Sequence, residues 1–130
     1  MGVIVFIVVM GMAFQNQDQT VRAYGADDHI WQVTELRGAP FPARATLQFP
    51  RIGQITGTGP CNTYQTGMHT PYPWFGVDGI ISTKRACPDL ALEAAFFAAL
   101  QEASLSEVGP DTLTLSNEAG DVLLVFKHAD

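Results

Sequence analysis

The chain has 130 residues, a net charge of −6 and 47% hydrophobic residues, including eight Phe and two Trp. This length fits one domain, and a domain this small buries only about two thirds of its unfolded surface, so a cross-link would help hold it. The seven basic residues are scattered, with only Lys84 and Arg85 adjacent, which excludes the basic stripe that nucleic-acid binding needs to displace counterions from phosphates.

The first fourteen residues, MGVIVFIVVMGMAF, carry no charge. The run is short for a membrane span of about 20 residues and fits the ~7–15-residue apolar core of a secretory signal. Cleavage is expected after Gly25, or the segment stays uncut and gives membrane association through residues 2–14. The bland alternative is a buried N-terminal strand or helix. Residues 15–29, rich in Gln, Asn and Asp, are expected to form a flexible linker. The expected organisation is therefore a signal-like or anchor segment with its linker over 1–25 and one folded domain over 26–130.

HIWQVTEL (29–36) alternates as a strand, with Trp31 and Val33 on one face. RGAPFP (37–42) has a Gly and two Pro and is expected to be a loop. ARATLQF (43–49) places Ala45, Leu47 and Phe49 on one face, and Pro50 is expected to end it. IGQITGTG (52–59) supplies a second strand, so 43–58 should be a hairpin. From 60 to 79 the pattern is mixed, with a long loop over 70–79 flanking a short strand around Phe75 and Val77. IISTKRAC (80–87) is strand-like.

CPDLALEAAFFAALQEAS (87–104) is the one good helix, with Leu92, Phe96, Ala99, Leu100 and Ala103 on one arc. Pro88 suits the first helical position, and Asp89 and Glu93 suit the positive end of the helix dipole. Strands are expected over 104–108, 112–117 (Leu113 and Leu115 inward) and 122–127, the last apolar enough to be central and covered on both faces. Strands, one helix and a closing hairpin make an α+β fold with a mostly antiparallel sheet.

Four segments of this pattern, WQVTEL, ITGTGPCNTY, STKRAC and DTLTLSNEAGDVLLVFK, together resemble the META domain, the family of the bacterial heat-shock protein HslJ. The middle two carry most of the match through their order and spacing. Cys61, Asn62 and Tyr64 fall in the first signature; Thr83, Arg85 and Cys87 fall in the second. Pro60 departs from the glycine usual before the cysteine. The resemblance implies a barrel-like sheet wrapped around a single helix, in a bacterial protein that is exported or anchored, periplasmic or facing the periplasm. It implies roles in envelope stress, antibiotic tolerance, secretion or motility, and no catalytic reaction, so no enzyme and no cofactor are expected.

For an exported chain, two cysteines imply one disulfide, Cys61–Cys87. Two alternatives stay open. The thiols are free and buried if the chain stays in the cytosol, or Cys87 is a reactive thiol at a helix start, which would make a thiol-based redox sensor or enzyme. His29, His69 and His128 have no ligand spacing, so no metal is expected. Asn62 and Thr83 are expected to be structural, Asn62 bonding its own backbone in a turn. No nucleophile elbow, phosphate loop or dinucleotide motif occurs. In YPWFG (72–76), Tyr72, Trp74 and Phe75 form a candidate interaction surface, the alternative being that Phe75 and Trp74 fold inward as a cap. The functional expectation is a non-catalytic, stress-related envelope domain that binds a partner protein or an apolar ligand.

Overall fold

The computed structural model describes residues 18–129. The apolar run at 1–14, with its signal or anchor assignment, lies outside the described residues. Among the described residues no helix is long and apolar enough to cross a membrane.

Strand β1 (Trp31–Leu36) buries Trp31 and Val33, as their alternation predicts. Arg37 and Gly38 both take positive φ, 49° and 82°, the backbone of a two-residue hairpin turn. The chain therefore folds straight back as β2 (Ala39–Pro40) on β1, where the sequence suggested only a loop. Strand β3 (Thr46–Arg51) runs through Pro50 instead of stopping at it. Its register against β4 (Gln54–Thr58) slips between Gln48 and Arg51, and such an irregularity is where a strand tolerates a proline.

Strand β5 (Thr63–Gly67) was hidden in the sequence because its inward residues are Tyr64 and Thr66 and the rest are polar or Gly. The expected strand around Phe75 and Val77 is reduced to two isolated bridges, Met68 to Val77 and Trp74 to Leu105. The strand-like 80–87 contributes only β6 (Ile81–Ser82). Helix α1 (Leu90–Glu102) begins two residues after Pro88, with Asp89 at its N-cap. Strands β7 (Leu105–Val108), β8 (Thr112–Ser116) and β9 (Val122–His128) follow as predicted, and β9 is central, between β1 and β8.

All the pairings are antiparallel, in the order β6-β5-β4-β3-β1-β9-β8-β7, with β2 on the side of β1. The expected α+β class is thus observed, with one α-helix and a nine-stranded antiparallel sheet among the described residues. The path is open, ending at β6 and β7, so the sheet is not closed into a barrel.

The core joins strands and helix. Trp31, Leu47, Phe49, Ile55, Leu113, Leu115, Leu124 and Phe126 from the sheet meet Phe96 and Leu100 from α1. Burying each such side chain contributes roughly 1.5–3 kcal/mol. The Phe96 ring lies 5.7 Å from that of Tyr64 and 6.2 Å from that of Phe41, which ties the helix to both sides of the sheet path.

The segment expected to be a flexible linker is instead packed from Asp18 onward. A 3₁₀ turn at Val21–Tyr24 buries Val21 completely, and Ala26 is equally buried. The Trp31 indole N–H donates to Ala26 O at 2.9 Å, and Arg22 Nε donates to Phe49 O at 3.2 Å. One fully buried valine and a satisfied indole outweigh the polar composition of the stretch.

Candidate functional site

The two cysteine-bearing segments meet where β5 begins and α1 begins. Cys61 and Cys87 form a disulfide with their Cα atoms 5.7 Å apart, within ordinary bridging reach. No described cysteine is free.

Beside the bridge, Asn62 and Glu93 are 4% and 3% exposed. The backbone N–H groups of Cys61 and Asn62 donate to Glu93 Oε2 at 2.9 and 2.7 Å. The Asn62 side-chain amide donates to Glu93 Oε1 at 2.7 Å and to Arg85 O at 3.0 Å. Asn62 Oδ1 accepts from Thr83 Oγ1 at 2.9 Å and from the Arg85 backbone N–H at 2.6 Å. The amide thus uses both donors and both lone pairs. Asn62 does not bond its own backbone as the turn chemistry suggested; it welds loop, second signature and helix together.

Glycine is required at 59, because a Cβ there would lie 2.5 Å from Glu93 Oε2. Thr83 enters the network through its hydroxyl and Arg85 through its backbone, leaving the Arg85 side chain at the surface. Tyr64, 4% exposed, donates its phenol to Thr46 O at 2.7 Å and packs edge-on against Phe96 and Phe97. Burial pushes its phenol pKa well above the ordinary value.

The 72–76 loop splits in two. Phe75 is 3% exposed and caps the core, whereas Trp74 is 53% exposed. Tyr72 is half-buried and stacks on Tyr24 with ring centroids 4.6 Å apart. The loop backbone lies along β7, with Phe75 N–H donating to Ser104 O at 2.8 Å and Ser106 N–H to Pro73 O at 2.7 Å. His29 and His128 stack 4.3 Å apart beside Trp31, and His69 is exposed near Asp78. Among the described residues no group of three or more His, Cys, Asp or Glu side chains is placed to hold a metal.

Between residues 82–86 and the first turns of α1 lies an open cleft of about 360 Å³, with Leu90, Ala94 and Phe97 on its helical side and Lys84 and Arg85 on the other.

Sequence reasoning missed Glu93, which it placed at the helix end for its charge alone. The signal was there: Glu93, Phe96 and Leu100 stand three and four residues apart, on one helix face. An acidic residue on an apolar face needs donors, and the Gly-Pro-Cys-Asn turn supplies them.

The META domain model matches residues 25–130. No curated protein matches the chain. A protein from Burkholderia xenovorans solved by NMR is 20% identical, with a TM-score of 0.65, covering 84% of this chain and 87% of its own. The crystal structure of a DUF4847 family protein from Bacteroides vulgatus is 16% identical, with a TM-score of 0.67, covering 83% of this chain and 96% of its own. At these identities the solved structures share the fold alone. The family match spans the disulfide, the Asn62–Glu93 network and every strand, and the chain belongs to the META domain family.

Proposed function

We propose that this META domain is a non-catalytic module of the bacterial cell envelope, exported to the periplasm or held at the membrane facing it, which binds a protein partner under envelope stress. The observation that carries this reading is the saturation of Asn62. The most reactive-looking cluster in the chain has its amide fully bonded and both sulfurs joined, so its residues serve as a clamp and not as a reacting site. Disulfides persist in oxidising compartments, which supports export. A thiol sensor or enzyme centred on Cys87 would first require this bridge to be reduced.

Trp74 and Tyr24, at 53% and 56% exposure, are the surface aromatics that favour a protein partner, since such rings dominate interface energies. Of the trio expected from sequence, Trp74 stays at the surface, Tyr72 is half-buried against Tyr24, and Phe75 turns into the core. An apolar small molecule is the less supported occupant, because the interior is filled by Phe96, Leu100 and Phe126.

The test is a photo-cross-linking amino acid at position 74 in cells of the native host, compared with the same probe at Ile52, which is also exposed at 62%. A discrete envelope-protein adduct at 74 and none at 52 is expected. Equal, diffuse labelling at both positions sinks the binding function.

A further inference from the structure

The two ends of the sheet are treated differently. The edge of β7 is covered by the 73–75 loop, through the Trp74–Leu105 bridge and the backbone bonds to Ser104 and Ser106. At the other end, β6 pairs only with β5, and among the described residues no loop bonds along it in this way. Ile81 on that strand is 66% exposed. Uncovered strand edges are templates for another strand, and proteins usually blunt or cover them. Here one edge is covered and one is left open.

The open edge adjoins the cleft. Ser82 belongs to β6 and also lines the cleft. The helical side is apolar: Leu90 is 46% exposed, Ala94 is exposed and Phe97 half-buried. The opposite side carries Lys84 and Arg85, the only adjacent cations in a chain of net charge −6. Neither has a carboxylate partner among the described residues, and Lys84 reaches only Ser82 Oγ at 3.4 Å. The third charged group at the cleft, Glu93, is buried and already holds three N–H donors.

We infer that β6 and this cleft together form a docking site for an extended acidic peptide segment of a partner protein. The segment adds as a strand to β6, seats an apolar side chain against Leu90, Ala94 and Phe97, and sets its carboxylates on Lys84 and Arg85. Strand addition supplies affinity through the backbone and lets alternate side chains supply specificity. Charge decides between occupants. The uncharged run at 1–14 offers nothing to the two cations. An enclosed apolar cavity would suit a lipid tail, whereas an open cleft beside a strand edge suits a peptide. This site is separate from the Trp74 surface and does not depend on it.

The experiment is a selection of random ten-residue peptides on the full, oxidised chain, followed by titration of the enriched peptides by NMR. Enrichment of alternating Asp/Glu and apolar residues is expected, with amide shifts centred on Ser82 and Ala94. Ala94→Trp, which fills the cleft from an exposed helix position, and the Lys84→Glu/Arg85→Glu pair should each weaken binding at least tenfold with unchanged melting temperature. Trp74→Ser should leave it unaltered. Enriched peptides that ignore Ala94→Trp, or that are lost in Trp74→Ser, overturn the site. So do the absence of enrichment, sodium dodecanoate giving the same shifts, and self-association of the chain through β6 in sedimentation.

Discussion

The side-chain amide of Asn62 donates to Glu93 Oε1 across 2.7 Å, although the two residues stand 31 apart in the chain. Both are almost fully buried. Glu93→Ala leaves two backbone N–H groups and one amide N–H without their acceptor and should cost about 3 kcal/mol in urea unfolding. Asn62→Ala should cost a similar ~2–4 kcal/mol. The double variant should lose clearly less than the sum, since both act in one network. Asp89→Ala is the control, because Asp89 makes no side-chain capping bond. It should change stability by less than about 0.5 kcal/mol, and equal losses at 89 and 93 would show that dipole charge alone explains both.

The disulfide closes a loop with a sequence separation of 26. In the chain-entropy model, this bridge stabilises by about 3.5 kcal/mol. Protein denatured without reductant should therefore titrate no thiols, and Cys61→Ser/Cys87→Ser should lower the unfolding free energy by roughly that amount. Two titratable thiols in protein recovered from its native host would contradict the bridge.

Tyr64 makes the fold sensitive to alkali. Its phenol pKa is raised in the folded state by burial, so the folded protein keeps the proton after the unfolded chain begins to lose it near pH ~10. Stability is full below that pH and falls above it, with a slope approaching about 1.4 kcal/mol per pH unit. Tyr64→Phe should remove this slope, while costing about 1–2 kcal/mol at neutral pH for the lost bond to Thr46 O. Denaturation midpoints measured between pH 8 and 11 would show both effects.

Gly57 and Gly79 should respond in opposite ways to alanine. A Cβ at 57 would run into the Thr46 carbonyl oxygen, itself the acceptor of the Tyr64 phenol, whereas a Cβ at 79 meets nothing within 4 Å. Gly57→Ala should destabilise by about 1–3 kcal/mol. Gly79→Ala should be neutral or gain up to about 1 kcal/mol from a less flexible unfolded chain. Thermal melts of the two variants give the comparison directly.

Val21 tests whether residues 18–26 belong to the folded body. It is fully buried, so Val21→Ala should cost about 2 kcal/mol from two lost carbon groups and the space they leave. A tethered linker would show no change. Hydrogen exchange at the Ala23 amide, bonded to Thr20 O at 3.1 Å, should be slowed in the parent and faster in the variant.

Strand periodicity carried far where burial follows a local rule. Ala45, Leu47 and Phe49 turn inward together, as do Leu113 and Leu115, and Phe96, Ala99 and Leu100 line one helix face. The rule failed where inward positions are polar or glycine. Strand β5 was invisible because Thr66 fills a core-facing place. The packed 3₁₀ turn was invisible because a single valine anchors it.

The sequence by itself determined the one helix, the strands whose apolar residues alternate, the α+β class, the family and the pair of cysteines, because each depends on residue type and short-range spacing. Only the tertiary structure decided that Glu93 is buried, that Asn62 spends its amide on the 83–85 segment and the helix, that Phe75 faces inward while Trp74 faces out, and that β6 ends the sheet uncovered. The physical reason is that a polar group's fate rests on which distant donors, acceptors or solvent it meets, and chain closure between remote segments sets those meetings.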